Sequence, residues 1–223
     1  MLSTPPDAAG RVPLTRTVAE DSIQKRIVLY DQDEDGHYDT ISAFIKSVRG
    51  SDPHAAVYWL AKMLHAGEDP RFIARRLVIL ASEDIGNADP RGLNLAVSAM
   101  QAAEFVGMPE ARIILSQATT YLATAPKSNA AYTAIDQALR DVREGPVLPV
   151  PERLKNVHVK AAASASREGD GAYVYPHDFA GHFVDQEYVP TTATYYAPSD
   201  QGYEDVIGKR MQRWAGARAK RRA

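Results

Sequence analysis

The stretch from His37 to Pro90 decides the fold, and it reads HYDTISAFIKSVRGSDPHAAVYWLAKMLHAGEDPRFIARRLVILASEDIGNADP. Within it, a glycine followed shortly by Asp-Pro recurs at Gly50 with Asp52-Pro53, at Gly67 with Asp69-Pro70 and at Gly86 with Asp89-Pro90. Glycine past a helix end accepts left-handed backbone, an Asp side chain caps the next helix, and proline fits its first turn. Each unit therefore predicts one helix that stops and another that restarts.

The apolar residues between these units have helical spacing, and the same spacing continues beyond Gly107 and Pro109. Representative positions are Ile41, Phe44 and Val48, then Ala56, Leu60 and Met63, then Ile73, Leu77 and Leu80, then Leu93, Ala96 and Met100, then Ile114, Ala118 and Leu122, and finally Ile135, Leu139 and Val142. With an opening helix around Ile23, Ile27 and Tyr30, the sequence predicts an all-α array of about seven antiparallel helices joined by short turns.

Composition divides the chain into further segments. Residues 1–16 are rich in proline and small polar side chains, which is typical of a disordered linker. Helical signals run to residue 145, so 37–145 is predicted to be the helical domain. Residues 146–202 lose that periodicity and carry many aromatic side chains, which predicts an irregular extended arm packed on a surface. A final helix is expected from Tyr203 to about Trp214, and residues 203–223 form a C-terminal helix with a basic tail.

The overall composition is that of an ordinary globular protein: 45% of its 223 residues are hydrophobic and its net charge is −2. The absence of cysteine excludes disulfides, thiolate zinc sites and cysteine nucleophiles. Neither a secretion signal nor a run of about 18 apolar residues occurs, so we expect no membrane span and a cytoplasmic location.

Two motifs suggest metal chemistry. Asp31, Asp33, Asp35 and Gly36 match the start of an EF-hand loop, but its twelfth position is Ser42 where a bidentate Glu is needed, so calcium is rejected. A different motif, His177-Asp178, is similar to the pair that holds metal in HD-type phosphohydrolases, and His158 and His182 are possible partners. The favoured interpretation is a structural histidine in a turn, and no catalytic or metal residue is assigned.

Two other polar features have structural readings. Glu83 and Asp84 fall in the last turn of a predicted helix, where an ion pair with Arg49 or Lys127 is favoured over a catalytic role. The turn TAPKSNAAY, residues 124–132, combines a lysine with a helix N-terminus, which would suit a phosphate or carboxylate. A turn capped by Ser128 or Asn129 is the favoured alternative.

Two groups of residues are candidates for binding. Together with the aromatic arm, the candidate oligomer interface is Tyr58, Trp59, Phe72, Arg75 and Arg76, chosen for residue types enriched at hot spots. A Trp in such a helix is more often part of the core, and both readings stay open. The candidate nucleic-acid contact is Lys209, Arg210, Arg213 and Trp214, whose cations would bind phosphates while the indole stacks on a base. Basic tails are usually only solvated, which is the favoured reading of this second group.

The His37–Gly86 stretch, followed by GMPEARI, YLATAPKSNAAY and YVYPHDF, resembles the C-terminal part of the replication-associated recombination protein A family. These proteins, called RarA or MgsA in bacteria and Werner-helicase-interacting proteins in eukaryotes, are AAA+ ATPases related to clamp loaders. The resemblance covers roughly residues 17–207. It implies that residues 17–36 are the end of the AAA+ lid, and that the helices form a clamp-loader-like collar that assembles a homotetramer.

The resemblance also limits the chemistry. No G-x-x-x-x-G-K-[ST] loop occurs in the chain, so ATP and magnesium are expected only in the family's N-terminal ATPase module, and no cofactor in this chain. We expect a non-catalytic oligomerisation domain that acts in DNA replication, repair and recombination. DNA and replication proteins such as single-stranded-DNA-binding protein are the partners implied for the full-length family protein, with a location at the nucleoid and replication fork. The alternatives are a DNA-binding module that uses the basic tail, or a metal phosphohydrolase.

Overall fold

Helices account for most of the described chain. The computed structural model of the protein describes residues 34–155 and 173–222. Its α-helices are α1 (Glu34–Arg49), α2 (Pro53–His65), α3 (Pro70–Leu80), α4 (Arg91–Val106), α5 (Ala111–Thr124), α6 (Ala130–Glu144) and α7 (Tyr203–Arg222). The described residues include no β-strand, which confirms the predicted all-α class. The predicted linker, most of the lid segment, the opening helix and His158 lie outside the described residues.

The predicted caps form at the starts of α2 and α3. Asp52 Oδ1 accepts a hydrogen bond from the backbone N–H of Ala55 at 2.9 Å, and Pro53 occupies the first turn. Likewise, Asp69 Oδ1 accepts from the N–H of Arg71 at 2.9 Å. Because these bonds satisfy N–H groups that have no partner inside the helix, the Asp-Pro units fix where both helices begin.

One glycine behaves differently from the prediction. Gly67 has the expected left-handed backbone, with φ +87°, but after α1 the positive φ of 61° belongs to Ser51 and not to Gly50. A Cβ on Gly50 would lie 3.0 Å from the carbonyl oxygen of Lys46. Glycine therefore suits position 50 because the backbone of Lys46 comes too close for a larger residue.

Helices α1 to α5 share one core in which α5 contacts all four of the others. The largest fully buried apolar side chains in this core are Phe44, Val48, Ile73, Leu77, Leu80, Ile85, Leu115 and Leu122. Most of the apolar positions with helical spacing in α1 to α5 are thus buried, although Leu93 on α4 is exposed. The burial of this face is what stabilises these short helices, since helices of this length are marginal alone.

A π-helical turn, Ala81–Ile85, continues α3 beyond Leu80 and ends at Gly86, whose φ is +52°. A π-turn widens the helix and changes the direction in which its side chains point. This turn carries both Glu83 and Asp84 and buries Asp84 and Ile85.

The chain divides into two compact units, one ending at Lys127 and one beginning at Ser128. Helix α6 belongs to the second unit, whereas the sequence prediction places it in a helical domain that extends to residue 145. The apolar residues of α6 have the same helical spacing as those of α1 to α5, so periodicity alone does not separate α6 from the first unit.

The second unit combines α6, the described part of the arm and α7. The arm is irregular, as predicted, with short 3₁₀ turns at Glu152–Leu154, Pro176–Asp178 and Ala180–His182. Its packing is partial: Val184 is buried and Phe183 half-buried, but Tyr173, Tyr175 and Tyr188 remain exposed. Helix α7 extends to Arg222, beyond the predicted end near Trp214.

Candidate functional site

A cluster of charged side chains surrounds the π-turn. Arg49 Nε lies 2.6 Å from Asp84 Oδ1, and Arg49 Nη2 lies 3.0 Å from Glu83 Oε1. The ion pair predicted for Glu83 and Asp84 is therefore confirmed, with Arg49 at the end of α1 as the partner. Asp84 is buried, and its Oδ2 has no hydrogen-bond partner among the described residues.

Lys127 lies at the end of the first unit, close enough to Asp84 for their charges to interact. Its Nζ donates to the carbonyl oxygens of Ala123, at 3.0 Å, and Ala125, at 2.6 Å. Burial lowers the pKa of Lys127, while the negative charge of Asp84 acts in the opposite direction. The ammonium group is thus engaged in closing the C-terminal end of α5, where carbonyl groups lack helical partners.

The turn that follows is a capped turn, which was the favoured reading of TAPKSNAAY. Ser128 Oγ accepts from the backbone N–H of Ala130 at 3.2 Å, whereas Asn129 makes no capping bond with its side chain. Ser128 in turn donates to a buried carboxylate of the second unit. The lysine that suggested an anion site is therefore bound to backbone carbonyl groups, and the Ser128 hydroxyl caps the helix that follows.

Asp89 forms a second buried centre in the first unit. Arg91 approaches its carboxylate with two nitrogen atoms, Nε at 2.8 Å from Oδ1 and Nη2 at 3.1 Å from Oδ2, and Tyr121 donates its hydroxyl to Oδ2 at 2.6 Å. The bonds from Arg91, with a smaller contribution from Tyr121, hold the pKa of Asp89 below its usual range although burial acts against them. Asp89 also raises the pKa of Tyr121. This network links the start of α4 to α5.

Glu204, in the first turn of α7, is completely buried. Ser128 Oγ donates to Oε2 at 2.6 Å, the backbone N–H and Oγ of Ser199 both donate to Oε2 at 2.7 Å, and the Tyr196 hydroxyl donates to Oε1 at 2.9 Å. Burial by itself would raise the pKa of Glu204, but these hydrogen bonds outweigh it and lower the pKa. Neither Glu204 nor Asp89 was identified as a buried centre from the sequence, since each is one acidic residue near a helix start like many others.

The candidate interface residues differ in their exposure. Tyr58 is 63% exposed, and its ring meets that of Trp59 edge to face at a centroid distance of 5.1 Å. Trp59 and Phe72 are half-buried and pack against the core, and Lys62 Nζ lies 5.3 Å from the Trp59 ring centre. Of the two arginines, Arg75 is exposed whereas the Nε of Arg76 is buried. Only Tyr58 and Arg75 thus combine the predicted residue type with clear exposure.

Exposed apolar side chains lie at other places in the first unit. A groove of about 470 Å³ runs between α2 and α5, lined by Val57, Leu60, Ala61, Leu64, Arg112, Ile113 and Ser116. A smaller cavity of about 250 Å³ lies near the end of α4, beside Met100 and Met108. Phe105 and Val106, at the end of α4, are exposed as well.

Helix α6 exposes apolar side chains in the second unit. Ile135, Leu139 and Val142 are all exposed, although their helical spacing is the same as that of the core residues in α1 to α5. Isolated exposed apolar residues are normal, but contiguous groups mark interaction sites.

The candidate nucleic-acid residues on α7 are partly engaged within the second unit. Lys209 Nζ lies 2.6 Å from Asp205 Oδ2, and Arg210 Nη2 donates to the Tyr203 hydroxyl at 3.4 Å. The Trp214 ring stacks on Phe183, with a centroid distance of 5.7 Å and an interplanar angle of 8°. Arg213 is exposed. Stacking against Phe183 occupies one face of the indole that was expected to receive a base.

The His177-Asp178 pair lies in an exposed 3₁₀ turn of the arm. The His177 ring centre is 5.1 Å from that of Tyr175 and 4.8 Å from that of His182. Across residues 34–155 and 173–222, no three His, Asp or Glu side chains are grouped so that they could hold a metal ion. The same residues include no helix that is long and apolar enough to cross a membrane.

Comparison with known proteins gives the class and then the family. The family model described as "MgsA AAA+ ATPase C terminal" matches residues 50–215, and the one described as "AAA C-terminal domain" matches residues 1–49. The helical fold and these matches define the C-terminal region of an AAA+ ATPase. The chain belongs to the MgsA family, which is the family that the sequence resemblance indicated.

Relatives from several bacteria support this assignment. The chain is 45% identical to the replication-associated recombination protein A of Bacillus subtilis over 221 residues, which are 96% of this chain and 52% of the relative. It is 41% identical to the protein of that name in Escherichia coli, over 92% of this chain and 46% of the relative. An uncharacterized AAA domain-containing protein of Mycobacterium tuberculosis is 50% identical over 92% of this chain. The chain spans about half the length of these relatives.

Proposed function

We propose that this chain is a non-catalytic assembly domain that holds several copies of an MgsA-like AAA+ ATPase together in DNA replication, repair and recombination. The observation that carries the proposal is exposed apolar surface, on α6 and between α2 and α5, in a chain of this family. Contiguous apolar surface favours association because its burial releases water. The sequence resemblance suggests that the assembly is a homotetramer.

The assembly would act through geometry. Linking ATPase modules through a common oligomer raises their effective concentration and fixes their mutual orientation. The buried carboxylates of Asp84, Asp89 and Glu204 each bind a structural partner within the fold. We therefore assign no catalytic role to them and place catalysis in the family's ATPase module. Binding of ATP and magnesium is accordingly assigned to the ATPase module of the family. Contacts with DNA and with single-stranded-DNA-binding protein remain predictions for the whole protein.

Light scattering after size exclusion tests the assembly. At micromolar protein we expect a mass of several times 24.4 kDa, and four copies if the assembly is a homotetramer. A mass of one chain at all concentrations up to about a hundred micromolar would contradict the proposal.

Two measurements test the non-catalytic role separately: calorimetric titration with ATP and magnesium detects binding, and a phosphate-release assay detects turnover. We expect no binding heat and no phosphate release. Saturable binding or turnover by the purified chain would overturn that part of the proposal and leave the assembly role standing.

A further inference from the structure

Helix α6 carries a continuous apolar stripe on its exposed face. Ile135, Leu139 and Val142 are 54%, 41% and 78% exposed, and they follow one another at spacings of four and three residues. This spacing places all three on the same side of the helix. The stripe runs about 10 Å along the helix, since each residue advances about 1.5 Å.

Opposite charges border the stripe on one flank. Asp136 and Arg143 are seven residues apart, so they lie on the same side of α6 two turns from each other. Both are exposed, and neither forms an ion pair with another described residue. The helix therefore presents an apolar stripe with an acidic and a basic side chain along one edge.

The apolar stripe and its flanking charges match those of a second α6 only when the two helices run antiparallel. If two copies of α6 pack antiparallel with Leu139 near the two-fold axis, Ile135 of each copy faces Val142 of the other. The same symmetry brings Asp136 of each copy to Arg143 of the other, which gives two ion pairs. A parallel two-fold arrangement would place the charged flanks of the two copies on opposite sides of the contact, so Asp136 and Arg143 of one copy would not meet those of the other.

We propose that α6 pairs with α6 of a second copy of this chain in an antiparallel, two-fold contact centred on Leu139. The inference rests on the proposed assembly function and identifies one of its contacts. A two-fold contact uses the same surface on both copies, which a self-complementary stripe requires. A pair of helices this short buries less area than the roughly 1,000 Å² of a stable interface. The contact is therefore one of several in the assembly.

Cysteine cross-linking tests the register. The chain contains no cysteine, so a Leu139→Cys variant carries a single thiol. Packed helices with axes about 8–10 Å apart bring backbones on the two-fold axis within the reach of a disulfide. Mild oxidation should convert most of this variant to a covalent dimer on a non-reducing gel. The matched control is Phe105→Cys at the end of α4, where the side chain is 92% exposed and should remain largely uncross-linked.

Charge exchange tests the ion pairs. Asp136→Arg and Arg143→Asp should each weaken self-association about fivefold or more, because each creates two like-charge contacts across the axis. The double variant should restore association to within about twofold, since it only exchanges the partners. Glu144→Arg changes a charge on the opposite side of α6 and serves as the control. Circular dichroism identifies any variant that fails to fold.

The outcomes separate this inference from the proposed function. If the chain assembles but Leu139→Cys cross-links no better than Phe105→Cys, the α6 contact is overturned and the assembly proposal stands. Failure of the folded double variant to regain association would also overturn the α6 contact. A chain that is monomeric at every concentration contradicts both proposals.

Discussion

The carboxylate of Glu204 illustrates what a buried charge needs in this protein. It accepts four hydrogen bonds, from Ser128 Oγ, Tyr196 OH and both the N–H and Oγ of Ser199. Burial of a charge without partners is costly, so these donors are what makes the position tolerable. The same bonds tie the starts of α6 and α7 to the arm within the second unit.

Glu204→Ala should destabilise the protein by about 1–3 kcal/mol, because it leaves the Ser199 N–H and other donors buried without an acceptor. Urea unfolding followed by circular dichroism measures this loss. The control is Asp205→Ala at the next residue, which removes only a partly exposed pair with Lys209 and should change stability by less than about 1 kcal/mol. Equal effects of both variants would contradict the role given to Glu204.

The acid dependence of stability follows from the lowered pKa values of Asp89 and Glu204. A carboxyl group whose pKa is lower in the folded state stabilises the fold above its unfolded pKa, which is about 4 for Asp and Glu. That contribution is lost as the pH falls through the folded pKa. Unfolding free energies at pH 7, 5 and 3.5 should therefore show the advantage of wild type over Asp89→Asn shrinking as the pH falls. An advantage that grows with acid would refute this assignment.

At the scale of the elements, helix ends are decided by local chemistry. The end of α2 shows this, because the N–H of Glu68 bonds the carbonyl of Met63 at 3.0 Å while Gly67 adopts φ +87°. Such a turn closes the carbonyl groups that a helix end leaves unpaired. Residues other than glycine reach this backbone conformation only with strain.

Two glycine substitutions should therefore have opposite effects. Gly67→Ala should lose about 1–2 kcal/mol, because the Cβ is disfavoured at positive φ even though no atom lies within 4 Å of it. Gly216→Ala, inside α7 with equally open surroundings, should gain up to about 1 kcal/mol from helix propensity. Thermal unfolding of the two variants beside wild type gives both signs. A stabilising Gly67→Ala would exclude the left-handed cap in solution.

At the scale of the whole molecule, the exposed apolar surfaces are the structural basis of the proposed assembly. Association stabilises the folded state by mass action when only folded chains associate. The thermal unfolding midpoint should therefore rise with protein concentration between about 1 and 100 micromolar. A variant that breaks the α6 contact, Val142→Glu, should show a smaller rise. A midpoint that is independent of concentration would contradict the proposed assembly.

Much of the fold could be predicted from the sequence. The Asp-Pro caps, the helical periods and the all-α class depend on interactions within a few residues, and such interactions can be predicted from the local sequence. The ion pair at Glu83 and Asp84 was predicted with two possible partners, Arg49 and Lys127. Only the packing of α1 beside the π-turn selected Arg49.

The candidate site was less predictable. Tyr58 is exposed, Trp59 and Phe72 are half-buried and pack on the core, and Trp214 stacks on Phe183. Contact of these residues with a second chain or with nucleic acid stays a prediction. Residue type states what a side chain can do, whereas its exposure depends on neighbours distant in the chain. The buried centres at Asp89 and Glu204 were missed for the same reason.

The sequence by itself determined the family, the all-α class and the starts of α2 and α3, because local hydrogen bonding and apolar periodicity act over short distances along the chain. Only the tertiary structure decided which apolar faces are used. Leu77 and Leu139 occupy equivalent positions in the helical pattern, yet Leu77 is buried by α3's neighbours and Leu139 is exposed on α6. Whether a helix face is buried depends on the segments that pack against it, and these segments are distant in the sequence.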